Sequence, residues 1–247
     1  MSTDKPVGIS RLYLVLWFSA LAAMAIVATQ PEANRVSRLN AVGFVLGLLA
    51  TCLVFTWPRK RMRKVCLTAL GFLVLLLVIP WKIHTSPEAL RVSYVARLRT
   101  YEGCLYYWGG ESRRGIDCSG LIRRGLIDAC FYTGTANFDP GLIRHGLSMW
   151  WNDTSARALG QEYQGLTKRL FDSADLKNLD YSKLQAGDIA VTADGVHIMA
   201  YLGEESWIEA DPGKLKVITV HAPTTTNGWF LHRVSILRWS MLMTPKA

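Results

Sequence analysis

The sequence predicts an α+β fold, N-terminal helices packed on a small antiparallel sheet, preceded by a membrane anchor of three transmembrane helices. Three observations carry this expectation. Apolar residues crowd into three nearly uninterrupted runs before residue 82. Between Ser86 and about Cys130 they recur at helical spacing instead. From Leu184 onward, short β-branched runs alternate with turn signals, which is how strands read. At 247 residues the chain has room for one ordinary domain plus an attachment, divided here at residues 81 and 82.

The anchor comes first. The runs are 12–28, 39–57 and 65–81, each about long enough as a helix to cross a hydrocarbon core of roughly 30 Å once interfacial flanks are counted. Trp57 and Trp81 stand at run ends, where aromatic side chains mark the membrane–water interface. The segment Pro58-Arg59-Lys60-Arg61-Met62-Arg63-Lys64 carries five positive charges in seven residues and is expected to stay in the cytoplasm. A cytoplasmic N-terminus follows, with everything after Lys82 beyond the membrane. Residues 1–81 hold nine basic against two acidic residues, and residues 82–247 hold 19 against 17. The excess positive charge is therefore a topology signal, and no nucleic-acid partner is expected.

After the anchor, Ser86 and Pro87 read as an N-cap and first-turn pair opening a helix to about Tyr101, which Gly103 ends. A glycine-broken stretch follows, Leu105 to Leu121, reading LYYWGGESRRGIDCSGL. It runs into Leu121–Ile127, whose apolar spacing is helical, so Cys118 falls at the start of a helix expected to reach about Cys130. That position suits a nucleophile. A free thiol, with a pKa near 8.5, is mostly protonated at neutral pH. A helix N-terminus favours the thiolate, and a nearby imidazole can take the proton.

The same stretch resembles the NlpC family of cell-wall cysteine peptidases, within the papain-like superfamily. The family pattern is Tyr-x-Trp-Gly-Gly, four residues, then Gly-x-Asp-Cys-Ser-Gly-Leu. Tyr106–Gly110, the spacer Glu111–Arg114 and Gly115–Leu121 match it without a gap. The resemblance implies a papain-like domain with Cys118 as nucleophile. It also implies that Tyr106, Asp117 and Ser119 recognise the free amine of a stem-peptide L-Ala, with Tyr106 and the Cys118 N–H at the oxyanion. Residues 133–182 carry little resemblance and read as an insertion of short helices and loops, with Trp150 and Trp151 packing it onto the core.

From Leu184 the reading is strands. Leu184–Asp188 turns into Ile189–Val191, and Ala193-Asp194-Gly195 is a hairpin signal. Val196–Gly203 resembles the family strand that bears the catalytic histidine, which makes His197 the expected base. On the next strand, Ser206–Asp211, side chains alternate, so Glu209 and Asp211 share a face and hairpin geometry alone leaves both as partners of His197. In the family the third catalytic residue lies twelve positions after this histidine. That count lands on Glu209, with Asp211 as runner-up. Glu is a departure from the usual His, Asn or Gln there, although a carboxylate can equally fix the tautomer and stabilise the imidazolium. Two more strands are expected, 214–220 and 229–238.

No His or Cys pair has metal-ligand spacing, so no metal and no cofactor are expected, and His221 and His232 read as surface or structural residues. Cys52 and Cys66 fall in the apolar runs. Cys104 and Cys130 flank the nucleophile, and a disulfide between them is left open by an oxidising compartment. The resemblance implies an anchored peptidase of a bacterial inner membrane, its catalytic domain on the periplasmic side. It would cut the stem peptides of peptidoglycan at the bond from D-Glu to the diamino acid. The alternative is a thiol hydrolase or acyltransferase acting on lipid or lipoprotein acyl groups.

Overall fold

The computed structural model describes residues 11–244; the chain's first ten residues, on whose side an expectation was placed above, lie outside them. The described residues divide into two compact units, one of residues 11–30 and 34–75, the other of residues 31–33 and 76–244.

The first unit contains helices α1 (Arg11–Ala28), α2 (Arg35–Thr56) and the larger part of α3 (Lys60–Val78). Asn34 caps α2: its side chain accepts the Ser37 N–H at 2.9 Å, and the Ser37 hydroxyl accepts the Asn34 N–H at 3.1 Å. Trp17 Nε1 donates to Thr51 Oγ1 at 2.8 Å, joining α1 to α2. The helices fall where the apolar runs lie, but the expectation of three membrane spans is corrected. Among the described residues only α2 is long and apolar enough to cross a bilayer. At 22 residues it is about 33 Å long. The apolar helix described within the first run, Leu14–Ala28, is shorter. In α3 the charges of Lys60, Arg61, Arg63 and Lys64 occupy the first turns, and Pro80 stops the helix soon after Val78. The apolar remainder, Val65–Val78, is only about 21 Å long.

The second unit is α+β. Helix α4 (Pro87–Arg99) begins as the sequence indicates, with Ser86 Oγ accepting the Ala89 N–H at 3.2 Å and Pro87 in the first turn. It buries Leu90, Tyr94 and Leu98. A two-stranded hairpin follows, β1 (Glu111–Ser112) and β2 (Gly115–Ile116), and leads into α5 (Cys118–Ala136), which runs six residues beyond the expected end. The region 133–182 holds α6 (Pro140–Trp151), capped by Asp139, and the short α7 (Ala156–Gly160), capped by Ser155. Trp150 packs against the core, while Trp151 is exposed.

This region also holds a strand that the loop-and-helix expectation missed. β3 (Thr167–Ser173) pairs with β8 (Val234–Trp239) at the edge of a six-stranded antiparallel sheet. Its charged residues and a register shift between Arg169 and Phe171 break the two-residue alternation by which strands are recognised. The remaining strands are β4 (Ile189–Thr192), β5 (Ile198–Gly203), β6 (Ser206–Asp211) and β7 (Lys216–His221), in the order β3-β8-β4-β5-β6-β7. The last expected strand starts later than its sequence suggests, because Gly228–Leu231 is a 3₁₀ turn.

Both faces of the sheet are covered, which is why its strands are apolar nearly throughout. Ile198, Ala200, Leu202, Ile208 and Ala210 share one core with α4 and α5, whereas Met199, Tyr201, Trp207 and Ile236 pack with Leu176 and Phe230 on the other. Asp188, fully buried ahead of β4, is held by Arg238 of β8 in a two-point contact at 2.6 and 2.8 Å.

Candidate active site

Cys118 is the first residue of α5, and Asp117 is its cap. One carboxylate oxygen of Asp117 accepts the Gly120 N–H at 2.6 Å and the Ser119 hydroxyl at 3.0 Å; the other accepts the Gly109 N–H at 2.9 Å. The helix start thus lies against the glycine turn so closely that a Cβ on Gly120 would stand 2.1 Å from the Gly110 carbonyl oxygen. Residues 31–33 brace the same turn from outside, with the Ala33 N–H donating to the Gly109 carbonyl at 2.8 Å and the Glu111 N–H to the Pro31 carbonyl at 3.0 Å.

The Cys118 side chain lines a cleft of about 510 Å³, whose walls include Trp108, Asp117, Ser119, Arg157 and Val196. Burial and the Asp117 charge push the thiol up to about 12, although the N–H groups of Ile198, Ser119 and Cys118 itself work the other way. In the resting structure the thiol donates to the Val196 carbonyl at 3.9 Å. The sulfur therefore lies against the backbone on both sides of His197.

His197 is buried, and its ring is held from two directions. Nε2 lies 2.5 Å from a carboxylate oxygen of Glu209, itself fully buried. The Trp229 ring stacks on the imidazole with centroids 4.2 Å apart and planes 17° from parallel. The second Glu209 oxygen accepts from the Asn227 side-chain amide. Asp211, the runner-up, is occupied in a turn, where Oδ1 accepts the Gly213 and Lys214 N–H groups at 2.7 and 3.3 Å. His197 Nδ1 makes no hydrogen bond to a described residue, and no hydrogen bond joins Cys118 to His197. With Nε2–H donating to Glu209, Nδ1 is left as the basic nitrogen.

Tyr106 is half-buried; burial first, then the charges of Cys118 and Asp117, push its phenol up to about 12, so it remains a neutral donor beside the sulfur. The expected residues thus form two groups: Tyr106, Asp117, Cys118 and Ser119 at the helix start, and His197 with Glu209 on β5 and β6.

Sequence reasoning missed Asn227 and Trp229. The only signal was an Asn two residues before a Trp in a segment read as loop and strand start. It also missed Arg123, whose buried guanidinium contacts Glu111 at 2.8 Å and Asp153 at 2.6 Å and donates to the Met149 and Asn152 carbonyls. The first of two adjacent arginines within a stretch of apolar helical spacing was the available clue.

The Cys104–Cys130 disulfide is not formed, and all five cysteines are free. Cys104 borders β7, its carbonyl accepting the Val217 N–H, whereas Cys130 packs beside Gly146 of α6. Among the described residues no group of three or more His, Cys, Asp or Glu is placed to hold a metal.

No protein-family model matches the chain, and no curated protein matches it. Several solved structures do. NlpC2 from Trichomonas vaginalis is 14% identical, with a TM-score of 0.40 over 63% of this chain and 49% of that one. This chain thus spans about half the length of NlpC2. The NlpC/p60 domain of the peptidoglycan hydrolase SagA is 21% identical, with a TM-score of 0.37 over 59% and 97% of the two chains. The peptidoglycan hydrolase RipB from Mycobacterium tuberculosis is 14% identical, with a TM-score of 0.39 over 95% and 90%. In its Tyr106–Leu121 string and in the structures it matches, the chain resembles the NlpC/P60 family.

Proposed function

We propose that this chain is a membrane-anchored cysteine peptidase that cleaves the stem peptides of peptidoglycan, at the bond between D-Glu and the diamino acid. One observation carries the reading: the sulfur lining the cleft sits at a helix start, against the backbone of a histidine whose far nitrogen is already held by a buried carboxylate.

In this reading the Cys118 thiol leaves the Val196 carbonyl and gives its proton to His197 Nδ1. The thiolate attacks the scissile carbonyl carbon, and the oxyanion is met by the Cys118 N–H and the Tyr106 hydroxyl. Collapse breaks the C–N bond, the imidazolium protonates the leaving amine, and an acyl-thioester remains. Water, deprotonated by His197, then hydrolyses it and restores the thiol. Glu209 compensates the imidazolium charge, Asn227 fixes Glu209, and Trp229 shields the pair from water. Asp117 and Ser119, with Tyr106, receive the free amine of the stem peptide.

The test is incubation of the full chain in detergent with muropeptides, in parallel with acyl-lipids. The expected product is a newly freed amine on the diamino acid, absent with Cys118→Ala. Release of fatty acid with no muropeptide cleavage would replace this reading with the acyl-hydrolase one.

Membrane anchoring through the N-terminal unit, and a wall-facing location for the catalytic unit, belong to the same proposal. A C-terminal reporter active only outside the cytoplasm checks the location, and a signal confined to the cytoplasm would remove the proposed substrate.

A further inference from the structure

Five charged side chains line the cleft around Cys118: Glu111, Asp117, Arg123, Asp153 and Arg157. Four are committed. Arg123 lies between Glu111 and Asp153 at 2.8 and 2.6 Å, and Asp117 accepts from three donors at the start of α5. Arg157 differs. It is exposed, makes no ion pair with a described residue, and donates only to the Asp194 backbone carbonyl, at 3.1 Å. That bond leaves most of its five N–H donors for a ligand.

Its position is fixed by the backbone. Ser155 caps α7, the short helix that carries Arg157, and α7 packs on the turn just before His197. A Cβ on Gly195 would stand 2.8 Å from the Cβ of Arg157, and the Gly195 φ of +72° disfavours other residues there. The root of the Arg157 side chain is therefore held at the cleft wall, and its guanidinium, bonded to the Asp194 carbonyl, stays within reach of the segment that leads to the imidazole.

We infer that Arg157 is a specificity-determining residue that binds a carboxylate of the substrate peptide flanking the scissile bond. This deepens the peptidase reading and rests on it. A planar guanidinium engages a carboxylate through two parallel N–H···O bonds, so the site distinguishes a free carboxylate from its amide. A stem peptide with a free carboxyl on the diamino acid would be favoured over the amidated form.

Two measurements on the full chain test this. The first needs no peptide: alkylation of Cys118, followed by mass spectrometry, with anionic iodoacetate and neutral iodoacetamide. The iodoacetate-to-iodoacetamide rate ratio is expected to fall about threefold to tenfold in Arg157→Gln at low salt, and further in Arg157→Glu. Arg157→Lys should keep most of it. The second is kcat/KM for stem peptides with a free or amidated diamino-acid carboxyl, where wild type should favour the free acid and Arg157→Gln should not. An unchanged alkylation ratio, or an unchanged peptide preference in Arg157→Gln, overturns the inference. If wild type cleaves neither peptide, the substrate reading fails, while the alkylation ratio still decides whether Arg157 draws an anion to the sulfur.

Discussion

Two buried pairs flank the cleft sulfur, Arg123–Glu111 and His197–Glu209, and they differ in what a proton can do to them. Arg123–Glu111 joins a guanidinium, which has donors and no acceptor, to a carboxylate, tying α5 to β1 and, through the Met149 and Asn152 carbonyls, to the end of α6. His197–Glu209 joins a carboxylate to an imidazole, whose second nitrogen can accept a proton and give it up. The first pair is suited to holding geometry, the second to moving charge. Substitutions on the two sides should therefore affect different observables.

The largest effect on activity is expected at the second pair. His197→Ala, like Cys118→Ala, should lower kcat/KM for stem peptides by at least about a thousandfold, and Cys118→Ala should do so with a thermal midpoint close to wild type. Glu209→Gln keeps an acceptor for the Nε2 proton but not the charge that stabilises imidazolium, and should cost about tenfold to a hundredfold in kcat. If Glu209→Gln is fully active, the carboxylate is structural and the comparison loses its functional half.

The largest effect on stability is expected at the first pair. Arg123→Ala leaves Glu111 buried without its guanidinium and should destabilise the fold by about 3–5 kcal/mol, read by denaturant or thermal unfolding. The double variant Arg123→Met/Glu111→Gln should recover most of that loss. No recovery would mean that the ion pair is not what Arg123 contributes.

How much of this was legible follows the same division. The Cys118 side is local: Asp117, Ser119, Gly120 and the glycine turn are consecutive or nearly so, and helix-start chemistry dictates their spacing. The His197 side was legible only as far as neighbouring strands reach. Strand alternation left Glu209 and Asp211 equivalent, and the choice depends on the turn at Gly213–Lys214 that occupies Asp211. Asn227 and Trp229 arrive from a 3₁₀ turn some 18 and 20 residues beyond Glu209, a fold-back that no local pattern encodes. Arg123 joins elements 12 and 30 residues away and was hidden for the same reason. In the N-terminal unit the apolar runs revealed the helices, but the charged first turns of α3 and the proline after it decided how much of the third could lie in hydrocarbon.

The smallest expected effect lies outside both pairs. Asp139 caps α6 and accepts the His84 and Thr85 N–H groups, both at 2.8 Å. Burial acts to raise its pKa, but these donors outweigh it and hold the carboxyl below its ordinary 3.8. Its folded value is depressed, so its stabilisation is present above about pH 3.8 and is lost as pH falls through that lower folded value. Asp139→Asn should flatten this acid limb of the stability curve, read by thermal unfolding as a function of pH, and leave the pH profile of activity unchanged.

The central claim is that His197 supplies the base for a sulfur that burial would otherwise keep protonated. The most direct test is the pH dependence of iodoacetamide alkylation at Cys118 in wild type and His197→Ala. The account predicts a reactive limb near neutral pH in wild type. In the variant, reactivity should be deferred to strongly alkaline pH, because burial and the Asp117 charge then act on the thiol without a base to take its proton. Superimposable profiles in the two proteins would contradict it.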